Sequence, residues 1–196
     1  MATSSQQAGF LAPVAEDVYD DALDDQLQAT IVGISGLPGA LVRPRWQPNP
    51  PNQPAFNTNW CAFGLTRKVV DTFAYDRHNP AGSAGEGQSI IERDETLYVL
   101  HSFYGPNSSG ICERFRDGFE ISQNRDALRD AGLFLVELEE AVTLPALLQE
   151  KWVRRVDVTV VYRRRTKRTY QVKTLVTGQM GLDNERYITP INASNP

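Results

Sequence analysis

The sequence predicts an α+β fold, a mostly antiparallel sheet with two main helices packed on it, and three observations lead there. Apolar residues recur at helical spacing across residues 17–31 and 108–131. Strand-length runs of apolar and β-branched residues fill most of 60–75, 89–105 and 133–177. The order is helix, two strands, helix, three strands, which is the α+β arrangement of helices laid on an antiparallel sheet.

Taken in order, residues 1–15 are rich in Ser, Gln and Ala and are expected to form a mobile arm. Val18, Ala22, Leu23, Leu27 and Ile31 then fall on one helical face, while Asp17, Asp20, Asp21, Asp24 and Asp25 line the other, with early acids that suit the N-terminal dipole. Gly33, Gly36 and the Pro38-Gly39 pair are expected to stop this helix. Residues 43–59 hold Pro44, Pro48, Pro50, Pro51 and Pro54 and can be neither helix nor interior strand, because proline fixes φ and lacks a donor. "WCAFGLTRKVVDTFAY" and "SIIERDETLYVLHSFYG" read as long strands around the glycine-rich loop "DRHNPAGSAGEGQ". In the second strand Leu97, Val99 and Phe103 alternate with Tyr98, Leu100 and Tyr104, so cover on both faces is implied.

Ile111, Phe115 and Phe119 mark the second helix, with Ser108 or Ser109 as a cap and Gly132 just past its end. "LFLVELEEA" is a third strand, and "TLPALLQEKW" is expected to be a short helical turn with Pro145 at its start. Val156, Val158, Val160 and Tyr162 share a face, as do Tyr170, Val172, Thr174 and Val176. With "RRRTK" between them they read as an antiparallel hairpin with a cationic tip. The predicted organisation is an arm at 1–15, one domain at 16–177 and a C-terminal arm at 178–196 whose Tyr187, Ile188 and Ile191 could dock.

At 196 residues, with 41% hydrophobic and 22% charged side chains, the chain has globular composition and can bury a core. Its net charge of −4 is unevenly spread. The first thirty residues hold Glu16, Asp17, Asp20, Asp21, Asp24 and Asp25 and no Lys or Arg, whereas residues 151–173 carry nine basic residues against Asp157 alone. That asymmetry points to partner contacts or self-assembly more than to bulk nucleic-acid binding. Cys61 and Cys112 give no disulfide framework and fit a reducing compartment. No run approaches eighteen apolar residues and the N-terminus lacks signal-peptide character, so assembly in the cytoplasm without a membrane is expected.

A search for chemistry is negative. His78, His101, Cys61 and Cys112 show no ligand-pair spacing, so no metal or cofactor is expected. "GISGLPG" and "GSAGEG" lack the Lys-Ser/Thr of a P-loop, and no G-x-S-x-G elbow occurs. Asp94, Glu95, Glu137, Glu139 and Glu140 lack the lysine that a nuclease carboxylate cluster would carry two residues on, and read as solvated edge charges. Interaction residues are the better candidates. They are Trp46, Pro48, Pro50 and Pro51 in the stiff loop, Asp20, Asp21, Asp24 and Asp25 on the acidic helix, and Arg163, Arg164, Arg165, Lys167 and Arg168 at the basic tip. The tip lacks aromatic neighbours for base stacking and is placed against acidic protein surface, with the acidic helix of a neighbouring copy as one candidate.

"RPRWQPNPPNQP" followed by "NWCAFG", the long strand pair, and "VTVVYRRR" with "RTYQVKTL" resemble the neck terminator, or tail terminator, proteins of tailed bacteriophages over about residues 17–177. The resemblance implies a non-enzymatic virion protein of the head–tail junction. It implies a hexameric ring that caps the tail tube, ends its polymerisation and joins it to the head connector or adaptor. The implied partners are other copies of the chain, the tail tube protein, the connector and, in a contractile tail, the sheath, with the genome passing through and no sequence-specific binding. The alternative reading is a nucleic-acid-associated factor or nuclease acting through the basic hairpin 163–168.

Overall fold

The structure is a computed structural model, and it describes residues 4–5, 8–80, 86–148, 150–173, 177–183 and 188–194. The elements run β1 (Ala15–Glu16), α1 (Asp21–Ser35), a 3-10 turn (Gly39–Leu41), β2 (Val42–Pro44), β3 (Trp60–Val70), β4 (Tyr75–Asn79) and β5 (Glu86–Tyr104). They continue with α2 (Ser108–Gly118), α3 (Ser122–Asp130), β6 (Phe134–Leu138), β7 (Val142–Thr143), β8 (Ala146–Leu148), β9 (Lys151–Val153), β10 (Arg155–Lys173), β11 (Thr177–Asp183) and β12 (Ile188–Ser194). The fold is α+β with a mostly antiparallel sheet. The chain divides into two compact units, residues 18–72 with 94–165, and residues 1–17 with 73–93 and 166–196.

The unit of residues 18–72 and 94–165 contains the main core. Its strand order is β10, β5, β3, β2, with β6 and β7 also pairing to β10. β2 is parallel to β3, and β3 is antiparallel to β5 from Trp60↔Tyr104 to Val70↔Glu95. Leu23, Leu27 and Ile31 recur every four residues of α1 and form its buried side. They pack with Cys61 and Phe63 of β3, Leu97, Val99 and Phe103 of β5, Ile111 and Phe115 of α2, and Val158, Val160 and Tyr162 of β10. Phe115 is the hub, 5.0 Å from Phe119 edge-on and 5.4 Å from Phe103. Each such buried side chain contributes about 1.5–3 kcal/mol.

α1 ends at Gly36, whose φ of 74° is costly for any residue with a Cβ and whose N–H bonds the Val32 carbonyl at 3.0 Å. Gly33 lies inside the helix and does not stop it. The second predicted helix is two. α2 ends at Gly118, Ile121 takes an extended ψ of 122°, and the Asn124 side-chain amide donates to the Gly118 carbonyl at 2.8 Å, so that α3 starts afresh.

Two further expectations are corrected. The stretch 146–153 is not a helical turn but a small hairpin, with Ala146 opposite Val153 and Leu147 opposite Trp152, closed at Glu150 with φ 63°. The strand form is favoured because it lets Val153 and Ala146 pack on Trp60, Ala62 and Tyr104. The predicted cationic hairpin does not turn at 163–168, since β10 runs unbroken from Arg155 to Lys173. No Gly, Pro, Asn or Asp occurs between Val158 and Lys173 to make a turn, and the charges are held within the strand.

In the other unit, β4 pairs antiparallel with the start of β5, from Tyr75↔Glu92 to Asn79↔Gln88, so the residues read as a loop enter a ladder at both ends. β1 pairs with β10 through Ala15↔Thr169 and Glu16↔Arg168, and the Val14 amide donates to the Thr169 carbonyl at 2.8 Å. β11 and β12 pair antiparallel across the expected C-terminal arm. The side chains of Tyr187, Ile188 and Ile191 lie outside the described residues.

Candidate functional site

The basic stretch of β10 alternates, as a strand must: Arg164 and Thr166 are buried, and Arg163, Arg165 and Lys167 are exposed. Its cations meet carboxylates of their own unit. Arg163 pairs with Asp71 at 2.9 Å and Asp94 at 3.3 Å, and Arg165 pairs with Asp94 at 2.9 Å. The hydrogen bond from Arg165 holds the Asp94 carboxyl below its ordinary range, against the opposing effect of desolvation. Arg164 is the exception in depth: its side chain is 6% exposed and that of Glu95 5%. Arg164 Nε donates to Glu95 Oε2 at 3.0 Å and Nη1 to the Val18 carbonyl at 2.8 Å, while the guanidinium lies 4.6 Å from the Tyr19 ring centre. In the other unit Lys167 lies 3.7 Å from Glu92, and Arg168 3.5 Å from Glu16. Asp94 and Glu95 are therefore not solvated edge charges but the counterions of β10, whereas Glu137, Glu139 and Glu140 are exposed.

The acidic residues of the first helix gather at its start. Asp20, Asp21 and Asp25 are exposed and Asp24 is half-buried. Burial raises the Asp24 carboxyl above its ordinary value, and repulsion from Asp21, Asp25 and Asp20 adds to the rise. Among the described residues none of the four forms an ion pair, although Asp20, Asp21 and Asp24 border a cleft with Tyr19, Lys68 and Arg164.

The proline-rich segment lies on the sheet face opposite α1. On β3, Cys61 and Phe63 point into the main core, and the alternate residues Trp60 and Ala62 join a second cluster with Tyr104 and Val153. Trp60 and Tyr104 stack at 4.3 Å with planes 9° apart. Arg45 anchors the segment: its amide donates to the Phe63 carbonyl at 2.7 Å, and its guanidinium hydrogen-bonds the buried Ser102 hydroxyl. Ser102 donates on to Asp157 at 2.5 Å, and Asp157 is paired with Arg155. Trp46, next in the chain, has φ 59°. Its ring passes over Gly64 so closely that a Cβ there would come 2.8 Å from Trp46 Cζ3. The indole is nevertheless 73% exposed, and Pro48, Pro50 and Pro51 are exposed beside it.

Arg43, Trp46, Gln47, Pro50, Trp60 and Ala62 are among the residues bordering a groove of about 270 Å³ on this face. A second groove is bordered by Phe56, Pro106, Trp152, Val153 and Arg154. Trp152 is 74% exposed, and Lys151 Nζ sits 4.1 Å from the Phe56 ring centre. Val153 borders the second groove and packs with Trp60 and Ala62 of the first, so the two form one face. Sequence reasoning missed Phe56, Trp152, Lys151 and Arg154. The stretch "TLPALLQEKW" gives no local signal against a helix, because Leu144, Leu147, Leu148 and Trp152 fall at helical spacing.

His101, Cys61 and Cys112 are buried, whereas His78 is exposed on β4. His101 is fully buried, and burial pushes its imidazole down to about 3, so it is neutral at ordinary pH. Backbone contacts with Val158 and Val99 oppose that shift only in part, and the Phe115 ring lies 5.0 Å away. Burial pushes the Cys112 thiol up to about 11 and that of Cys61 higher still, which leaves neither as a ready nucleophile. Among the described residues no group of His, Cys, Asp and Glu is placed to hold a metal ion, and no helix is long and apolar enough to cross a membrane.

An α+β unit whose exposed chemistry is aromatic, cationic and acidic surface has the features of a protein that works through contacts with other proteins. The chain matches the phage neck terminator protein family over residues 21–185, and it belongs to that family. It is therefore a structural protein of the bacteriophage neck, at the head–tail junction. No curated protein matches the chain.

Proposed function

We propose that the chain closes into a hexameric ring that caps the tail tube, ends its polymerisation and joins it to the head connector or adaptor. The family match over residues 21–185 carries this reading. Two separate charged surfaces support it, because cyclic assembly needs two different patches on every subunit. The partners are other copies of the chain, the tail tube protein, the connector and, in a contractile tail, the sheath, with the genome passing through unread. The protein acts by contact and not by catalysis. The nucleic-acid alternative is not favoured, since the cations from Arg163 to Arg168 already face carboxylates in their own units.

Tail tube protein polymerising in the presence of increasing amounts of this chain tests the proposal. Tubes that stop growing, with mass spectrometry of intact complexes giving six copies per closed end, are the expected result. Unlimited growth with no bound chain, or metal-dependent cleavage of nucleic acid by the purified protein, would overturn it.

A further inference from the structure

We propose that the aromatic and cationic face around Trp46, Phe56 and Trp152 receives the acidic first turn of α1 from a neighbouring copy of the chain. The inference deepens the ring reading and rests on it. Charge selects the occupant. Residues 43–60 contain Arg43 and Arg45 and no acid, and residues 146–155 contain Lys151, Arg154 and Arg155 against Glu150 alone. Arg155 is taken by Asp157 and Arg45 by Ser102, but among the described residues Arg43, Lys151 and Arg154 have no carboxylate partner. Their complement is the set of four acids at the start of α1, which also has no ion pair and whose mutual repulsion a cationic surface would relieve. The basic stretch of β10, the other conceivable complement, is occupied by acids of its own chain.

Geometry agrees with charge. The α1 side and the Trp60 side are opposite faces of β3, so the two patches cannot meet within one subunit or form a self-complementary two-fold contact. A contact between them is head-to-tail, the kind that closes rings. The face is also built in advance. Trp46 is held in the left-handed region by the Arg45 anchor and its seat on Gly64, and such strained backbone concentrates at binding sites. Two exposed indoles among guanidinium and ammonium groups are the composition of an interface centre.

The experiment compares four forms of the full chain, with and without tail tubes, by sedimentation and mass spectrometry of intact assemblies. They are the wild type, Lys151→Glu with Arg154→Glu, Asp21→Lys with Asp25→Lys, and all four changes together. Each reversed pair is expected to raise the concentration needed for half-assembly at least about tenfold, and the fourfold variant to return within about threefold of wild type. Reversed pairs that assemble normally overturn the proposal. So does a fourfold variant no better than its parents, or normal rings that fail only to attach to tube or connector, which would give the face to another neck protein. A wild type that never closes, even on tubes, overturns the ring reading itself. Should a reversed variant misfold, Asp21→Cys with Arg154→Cys under oxidation decides: a ladder of linked oligomers supports the contact, and monomer alone in a solution of closed rings refutes it.

Discussion

Removing the Arg164 guanidinium is the sharpest test of how the basic stretch works in the isolated chain. Arg164→Ala leaves Glu95 buried with only the Tyr19 hydroxyl at 3.3 Å and Lys68 Nζ at 3.9 Å, and leaves the Val18 carbonyl without its donor. Breaking one side of a buried pair costs about 3–5 kcal/mol. Loss of the contact over Tyr19 is part of the same change. For a chain of this size that is a fall in Tm on the order of 10 °C. Arg163→Ala, one residue away but half-exposed, removes contacts to Asp71 and Asp94 worth about 0.2–1 kcal/mol. Urea denaturation of both variants, followed at two wavelengths to check two-state behaviour, measures the difference. Arg164→Met with Glu95→Leu should recover most of the loss, because a buried ion pair can be exchanged for apolar packing at little net cost. Equal, small effects from Arg164→Ala and Arg163→Ala would refute the assignment of Arg164 as a core ion pair.

Three more outcomes follow from the geometry. Asp24→Asn should stabilise the chain at neutral pH: a carboxyl raised in the folded state loses stability as pH climbs from its ordinary 3.8 through the folded value, so the gain should vanish below about pH 4 in pH-resolved melts. His101 gives the opposite acid limb. Its folded value of about 3 lies below the ordinary 6.5, so stability should fall by about 1.4 kcal/mol per pH unit as pH drops between those values, and His101→Phe should remove that slope. Gly118→Ala places a Cβ 2.2 Å from Ile34 Cγ2 where α1 and α2 pack, and should cost about 1–3 kcal/mol in denaturant melts, with Ile34→Ala in the same chain recovering part of it.

Much of the fold could be read from periodicity, and the failures have physical causes. Leu23, Leu27 and Ile31 are buried at the spacing that announced α1, and Leu97, Val99 and Phe103 are buried along β5. The turn assigned to Arg163–Arg168 rested on the habit that charge runs are solvated. The habit fails because Asp71, Asp94 and Glu95, some seventy to ninety residues earlier in sequence, come to lie beside them. The absence of any turn-forming residue there was the signal that should have outweighed it. The proline-rich segment was recognisable as a built feature, but where it seats was not. Arg45, Gly64, Ser102 and Asp157 come together only through the register of β3 against β5 and the adjacency of β5 to β10. The hairpin holding Trp152 escaped because ten residues with one proline fit a helical turn as well as two short strands, and only Val153 packing on Trp60 decides between them.

The ring we propose at the end of the tail tube can be looked for in the particle itself. Cryo-electron microscopy of the neck of virions that carry this chain, with a tag on one terminus to mark it, is the decisive measurement. The expected result is six copies in one closed layer between tube and connector, each presenting its Trp46 face to the α1 start of the next. Marked density elsewhere in the particle, or a neck layer without the chain, would contradict it.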